Sequence, residues 1–319
     1  MKIAMIGPGI PGISIPPVGW AAVEMILWDL PEALRKLGCT VDVYNNPNLE
    51  EVCNEINSKD YDFVQNQYDN HTEVLNRLLK KPYTVTTHYG WINRPQYWDQ
   101  GYVAINNAIL KSPGIIALSE EIANLYRSQG YTGFLKILRN GTDVHKFKFI
   151  EKCNSGKAVC VGKIDFRKAQ NYIAQVCGRE NISVDFVGPK ADVFIENDTC
   201  KWLGEWDKQT LFDNLTNYNT LILLSQGEAS PLVVPESLAA GCSVVISSWS
   251  AANMPDKPYI TIIDNQEKLG RLPEYIRGSI AANNNYRSEI RQLAEDVFDW
   301  NRIAVDYLEI IRQWKEYNK

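Results

Sequence analysis

Short runs of consecutive apolar residues alternate along the chain with stretches whose apolar positions recur at helical spacing. KIAMIG at 2–7 is the first run and CTVDVY at 39–44 the second; between them AVEMILWDLPEALRKLG at 22–38 keeps a helical stripe and closes on glycine. Strand, loop, amphipathic helix and strand make a βαβ unit, which predicts a parallel α/β sheet. DFVQNQ (62–67), YTVTTH (83–88) and GIIALS (114–119) predict further strands. SEEIANLYRSQG (119–130) predicts a helix capped by Ser119 and closed by Gly130.

After FLKILRNGTDVHKFKF at 134–149 the rhythm restarts with KAVCVGK at 157–163, and IEKCNSG at 150–156 reads as the linker. ISVDFVG (182–188), NTLILLS (219–225) and CSVVISS (242–248) predict strands, with helices over 231–240 and 287–298. The expected organisation is a first α/β domain over 1–150, a second over 151–295, and a C-terminal amphipathic helix over 296–319. That helix carries Trp300, Ile303, Tyr307, Ile310, Ile311 and Trp314 on one face. A length of 319 residues suits two cores, and therefore a cleft between them.

Composition narrows the classes. Hydrophobic residues make up 45% and charged residues 22%, as in a folded globular protein, and the formal net charge of −5 offers no general attraction to nucleic acid or an anionic membrane. The opening MKIAMIGPGIPG is too turn-rich for a signal peptide, and no segment is apolar for long enough to span a bilayer. The expected location is cytoplasmic, with peripheral membrane association left open. Seven scattered cysteines without a C-x-x-C pair, and only three histidines, point to free thiols and to no metal site.

Three stretches could carry chemistry. GPGIPGISIPPVGWAAVE lies between the first strand and first helix, where backbone can approach a phosphate or a sugar; it matches neither a dinucleotide fingerprint nor a P-loop, and a plain surface loop fits it too. VGKIDFRKA at 161–169 places Lys163, Arg167 and Lys168 just past a strand, suited to a diphosphate leaving group or to an ordinary solvated loop. SQGEASPLVVPESLAAG at 225–241 follows a buried strand and sets Glu228 before a helix and Glu236 on it. Carboxylates suit vicinal sugar hydroxyls, which leucine could not bind; two solvated acids are the bland alternative.

The run E-A-S-P-L-V-V-P-E-S-L-A-A-G resembles the E-x7-E signature of the retaining nucleotide-sugar glycosyltransferases of GT-B fold, glycosyl transferases group 1. TTHYGW around His88, IIALSEEI at 115–122, ILRNGTDVHKF at 137–147, VGKIDFRKA, WLGEWDKQTLFDNL at 202–215 and the closing D-W-N-R-I helix follow in family order. The resemblance implies two Rossmann-like parallel-sheet domains facing across a cleft, with the last helix crossing back to the first domain. It implies a metal-independent hexosyl- or pentosyltransferase that closes over a UDP- or GDP-sugar donor, retains the anomeric configuration and needs no cofactor.

Residue by residue, the resemblance places Glu228 on the donor sugar, Glu236 on the ribose, and Lys163 and Lys168 on the diphosphate. Backbone at Ser230 and Leu232 falls near the β-phosphate, His88 reaches the donor sugar from the first domain, and Gly12 and Gly19 fall on the diphosphate and acceptor side. Glu228, His88 and Lys168 form the implied catalytic set. Arg167 stands where the family has an acid, and 169–202 is short, which leaves base specificity open. Trp91, Tyr97 and Trp98, with Tyr102, suit stacking on an acceptor sugar and equally suit packing. The expected acceptor is a saccharide or lipid-linked glycan. Hydroxymethylated DNA bases are an alternative acceptor, and a non-catalytic sugar-nucleotide or glycan-binding protein is a second alternative.

Overall fold

A computed structural model describes residues 1–19 and 21–319; Trp20 lies outside the described residues. The chain divides into two compact units, Met1–Gly141 with Trp300–Lys319, and Thr142–Asp299.

In the first unit the apolar runs form strands and the striped segments helices: β1 (Lys2–Ile6), α1 (Ala22–Lys36), β2 (Thr40–Tyr44), α2 (Leu49–Ser58), β3 (Phe63–Asn66), α3 (Thr72–Leu78), β4 (Thr84–Val85), α4 (Gln100–Ile109), β5 (Gly114–Ala117), α5 (Glu120–Ser128) and β6 (Phe134–Ile137). All six strands pair in parallel in the order β2-β1-β3-β4-β5-β6. The second unit holds β7 (Ala158–Val161), α6 (Gln170–Arg179), β8 (Val184–Val187), β9 (Cys200–Trp202), α7 (Lys208–Asn214), β10 (Thr220–Leu223), α8 (Val233–Ala239), β11 (Ser243–Ser247), β12 (Ile260–Ile263), α9 (Gln266–Gly270), α10 (Leu272–Ala282) and α11 (Arg287–Phe298). Its strands are also all parallel, ordered β12-β11-β10-β7-β8-β9.

Strands β5, β7, β8, β10 and β11 are buried at every position, the signature of parallel sheets covered on both faces. This explains their largely apolar runs; the charged exception is Asp185 in β8, which is buried and accepts from Tyr218 Oη at 2.9 Å. In each unit the strand order reverses once, between β1 and β3 and between β7 and β10. Such a reversal opens a crevice at the carboxyl ends of the two strands, the place where open α/β sheets bind ligands.

The last helix, α12 (Trp300–Tyr317), returns to the first unit. Its Trp314 meets Phe63 and Phe134 edge-on at 5.9 and 5.0 Å, Tyr307 meets Phe63 at 5.7 Å and bonds to Gln65, and Lys315 pairs with Asp62 at 2.6 Å. The apolar face expected of this helix is thus spent on the first sheet. Residues 148–150 pack with the second unit, where Lys148 N donates to Phe212 O at 3.0 Å and Ile150 N to Thr216 Oγ1 at 3.1 Å. All seven cysteines are buried free thiols. Among the described residues, no helix is long and apolar enough to cross a membrane.

Candidate functional site

The second unit's reversal point gathers the charged candidates. Beyond β7 the chain turns through Gly162 and Lys163 into a short 3-10 turn, Phe166–Lys168, capped by Asp165, whose Oδ1 accepts from Lys168 N at 3.1 Å. Beyond β10 it enters the loop that carries Glu228. Two bonds staple these loops together: Gln226 N donates to Arg167 O at 2.8 Å, and Arg167 Nη1 to Gly227 O at 3.0 Å. Ser247 Oγ, at the end of β11, donates to Ser225 O at 2.6 Å and anchors the second loop from its other side.

Held this way, Lys168 Nζ stands 2.7 Å from Glu228 Oε1, both side chains 13% exposed. The candidates Glu228 and Lys168 therefore meet as one ion pair. Lys163 is exposed, and its carbonyl accepts from Gln170 Nε2 at 2.8 Å. The backbone beside it is tightly constrained: Gly188, with φ of +140°, lies so close that an added Cβ would stand 2.3 Å from Gly162 O. Only glycine permits that approach of the β7 and β8 loops. Ser230 is half-buried, and Leu232, at φ −61° and ψ −33°, leads into α8. The helix expected over 231–240 runs Val233–Ala239, so Pro231 lies before it.

Glu236, on α8, does not share the lysines of the 163–168 loop. Its Oε1 accepts from Lys208 Nζ at 2.8 Å, and Lys208 begins α7. Sequence reasoning missed this lysine, which lies 28 positions before its partner and has no local mark of the pairing.

In the first unit, Gly12 is an exposed turn residue with φ of +84°, and Gly19 is half-buried in the same loop beyond β1. His88 follows β4 and is half-buried, with Nε2 3.0 Å from Gln67 Oε1 beyond β3. Burial pushes its imidazole down to about 4, so the ring is neutral at pH 7. With Nε2–H donating to Gln67, Nδ1 is left as an acceptor.

The aromatic candidates follow His88. Trp98 Nε1 donates to Trp91 O at 2.8 Å, Tyr97 leans on Trp91 at 4.9 Å, and Trp98 meets Tyr102 edge-on at 5.1 Å. Tyr102 in turn stacks on Tyr89 at 3.6 Å. Trp91 and Trp98 are half-buried and Tyr97 is 53% exposed with the Arg94 guanidinium 5.7 Å over its ring, so packing and exposure coexist in one cluster. Beneath it Asp69, buried, accepts from Thr87 and from Tyr102 Oη, and burial raises its carboxyl above the usual range.

His71, two residues on, is buried, its Nδ1 has no hydrogen-bond partner among the described residues, and burial pushes its ring down to about 4. A folded value below the unfolded ~6.5 means that the unfolded chain takes the proton first. This contribution is fully present above pH ~6.5 and is lost as the pH falls towards 4, about 3 kcal/mol in all. Asp69 acts with the opposite sign, because the folded protein holds its proton at higher pH than the unfolded chain does. The expected outcome is a melting temperature that falls between pH 7 and 4.5, with a shallower fall in His71→Leu; an unchanged slope in that variant would remove His71 as the cause.

No family model matches the sequence, and no curated protein sequence matches it. Solved structures do. Sucrose-phosphate synthase from Thermosynechococcus elongatus shares 17% identity at a TM-score of 0.78, over 98% of each chain. AviGT4, a glycosyltransferase involved in avilamycin A biosynthesis, shares 16% at 0.72, over 99% of this chain and 98% of its own. HepE from Anabaena, solved in complex with UDP-glucose, shares 15% at 0.71, over 98% of this chain and 100% of its own. At these identities the likeness is one of fold, and the fold is the α/β, two-domain GT-B architecture.

Proposed function

We propose that this chain is a retaining, metal-independent glycosyltransferase that moves a sugar from a UDP- or GDP-sugar to a hydroxyl of a glycan or glycolipid. The observation that carries the reading is the Lys168–Glu228 ion pair at the reversal point of the second sheet, 2.7 Å long and largely shielded from water. A shielded cation beside a carboxylate suits a substrate in which a diphosphate adjoins a polyhydroxylated ring. A fold shared with HepE, whose structure contains UDP-glucose, supports the same class of donor.

In this reading Lys163 and Lys168 neutralise the diphosphate, with backbone at Ser230 and Leu232 beside the β-phosphate. Glu228 holds sugar hydroxyls and Glu236 the ribose. The anomeric carbon's bond to the phosphate oxygen breaks with oxocarbenium character, and the acceptor oxygen bonds to the same face. The acceptor's proton passes to the departing phosphate. The lysines supply the positive charge that a metal supplies elsewhere. Neutral His88 offers a ring nitrogen to a hydroxyl of the donor sugar, and on the acceptor side Tyr97, 53% exposed beside Trp91, suits a pyranose ring.

The test is a thermal-shift series with UDP-, GDP- and ADP-glucose, followed by turnover of the best binder in EDTA and NMR of the product. A donor at a hundred times its Kd should add about 2.7 kcal/mol of stability. An α-linked donor should give an α-linked product at an unchanged rate in chelator. No stabilisation by any nucleotide-sugar would defeat the reading; an inverted product or a chelator-killed reaction would defeat its retaining or metal-independent part.

A further inference from the structure

Glu236 belongs to the buried face of α8 and is 7% exposed as a residue, yet it is ionisable and lies beside neither lysine of the 163–168 loop. Lys208 supplies its partner, Nζ to Oε1 at 2.8 Å, with the two side chains 21% and 9% exposed. The lysine's backbone is fixed: it is the first residue of α7, and the helix is capped by Asp207, whose Oδ1 accepts from Thr210 N at 2.7 Å. Among the described residues no hydrogen bond reaches Glu236 Oε2.

Burying a carboxylate costs free energy unless a cation or several donors compensate it. Here one ammonium does so, and it takes one oxygen. The other oxygen remains as an acceptor, held in place because its twin is tied to a helix start. An acceptor so fixed suits a hydroxyl partner, and a ligand lacking that hydroxyl forgoes the bond.

We propose that Lys208 is a positioning residue for the nucleotide: it holds the Glu236 carboxylate oriented so that the free oxygen accepts from the ribose 2′-hydroxyl. The site thereby selects ribonucleoside diphosphates over 2′-deoxyribonucleoside diphosphates. This rests on the proposed role of Glu236 at the ribose. It goes beyond that role by giving the selectivity to a residue on a different helix, outside the stretch that carries both glutamates.

The experiment is calorimetric titration of the full chain with UDP and GDP, each beside its 2′-deoxy analogue. The unmodified protein should prefer the ribonucleotide by about tenfold, the worth of one hydrogen bond to a charged acceptor. Lys208→Met and Lys208→Gln should bring the preference within about threefold, and Lys208→Arg should keep most of it. A purely structural lysine would weaken both nucleotides alike and leave their ratio unchanged, which would overturn the proposal. The ratio in the unmodified protein tests it without any variant, so a Lys208 variant that fails to fold does not shield it. Equal binding of UDP and 2′-deoxy-UDP sinks this inference alone; if none of the four nucleotides binds, the donor reading falls and takes this one with it.

Discussion

Glu228→Gln is expected to cut sugar transfer by about a hundredfold to a thousandfold while UDP binding stays within about threefold. Glutamine keeps the length and one carbonyl oxygen of the side chain, so the substitution tests charge rather than shape. The surroundings allow that separation. The loop bearing Glu228 is fixed by backbone and side-chain bonds that do not involve its carboxylate: Gln226 N to Arg167 O, Arg167 Nη1 to Gly227 O, and Ser247 Oγ to Ser225 O. What changes is the partner of Lys168, whose ammonium loses a carboxylate 2.7 Å away in a largely shielded position.

A charge worth little at an open surface is worth more where both partners are shielded. Lys168→Met should therefore lower transfer by a similar factor, and the double variant by no more than the larger of the two, because residues acting as a unit are not additive. Release of UDP from the best donor, with and without acceptor, gives the rates; circular dichroism and melting temperature establish that each variant is folded. Turnover of Glu228→Gln within threefold of the parent would remove Glu228 from the site, whatever the fate of the fold.

Much of the fold is legible in local sequence because parallel sheets covered on both faces require largely apolar strands. β1, β2, β5, β7, β8, β10 and β11 all sit within runs that read as strands. The run at 83–88 shortens to Thr84–Val85 because only those residues ladder with β3 and β5. β9 and β12 are edge strands that are only partly buried, and they lack the covering on both faces that marks the interior strands. The site divides in the same way. Glu228 and Lys168 announce themselves by lying just past strands, but nothing local shows that they touch, 60 residues apart. Lys208 is less legible still, since a lysine following a helix cap is an ordinary surface pattern until the fold sets Glu236 against it.

Arg287 is the extreme case, and Arg287→Met is expected to cost about 4 kcal/mol or more, a large share of the roughly 5–15 kcal/mol by which a folded protein is stable. The residue begins α11, is 1% exposed, and among the described residues faces no carboxylate within hydrogen-bond reach. Its guanidinium is instead ringed by neutral acceptors. Nε donates to Ile150 O at 2.8 Å, Nη1 to Tyr218 O at 3.1 Å and Asn283 Oδ1 at 2.9 Å, and Nη2 to Thr216 O at 2.8 Å and Ala240 O at 3.1 Å. Ala240 is the C-cap of α8, where helix carbonyls lack partners and the dipole favours a cation.

One side chain thus satisfies the ends of several elements of the second unit, including the helix that carries Glu236. Gly241 makes this possible: its φ of +82° ends α8, and an added Cβ would stand 3.3 Å from Arg287 Cζ and 2.9 Å from Phe149. From sequence it is a helix-ending glycine; in the fold it also leaves room for the arginine. Methionine fills similar space but strands the carbonyls without donors, each costing about 1–3 kcal/mol. Lysine keeps the charge with three donors in place of five and cannot reproduce the planar fork, so Arg287→Lys should lose roughly half as much. Urea unfolding followed by tryptophan fluorescence measures the series. A midpoint for Arg287→Met equal to that of the parent would show that water can satisfy those carbonyls, and that the buried charge is neutral to stability.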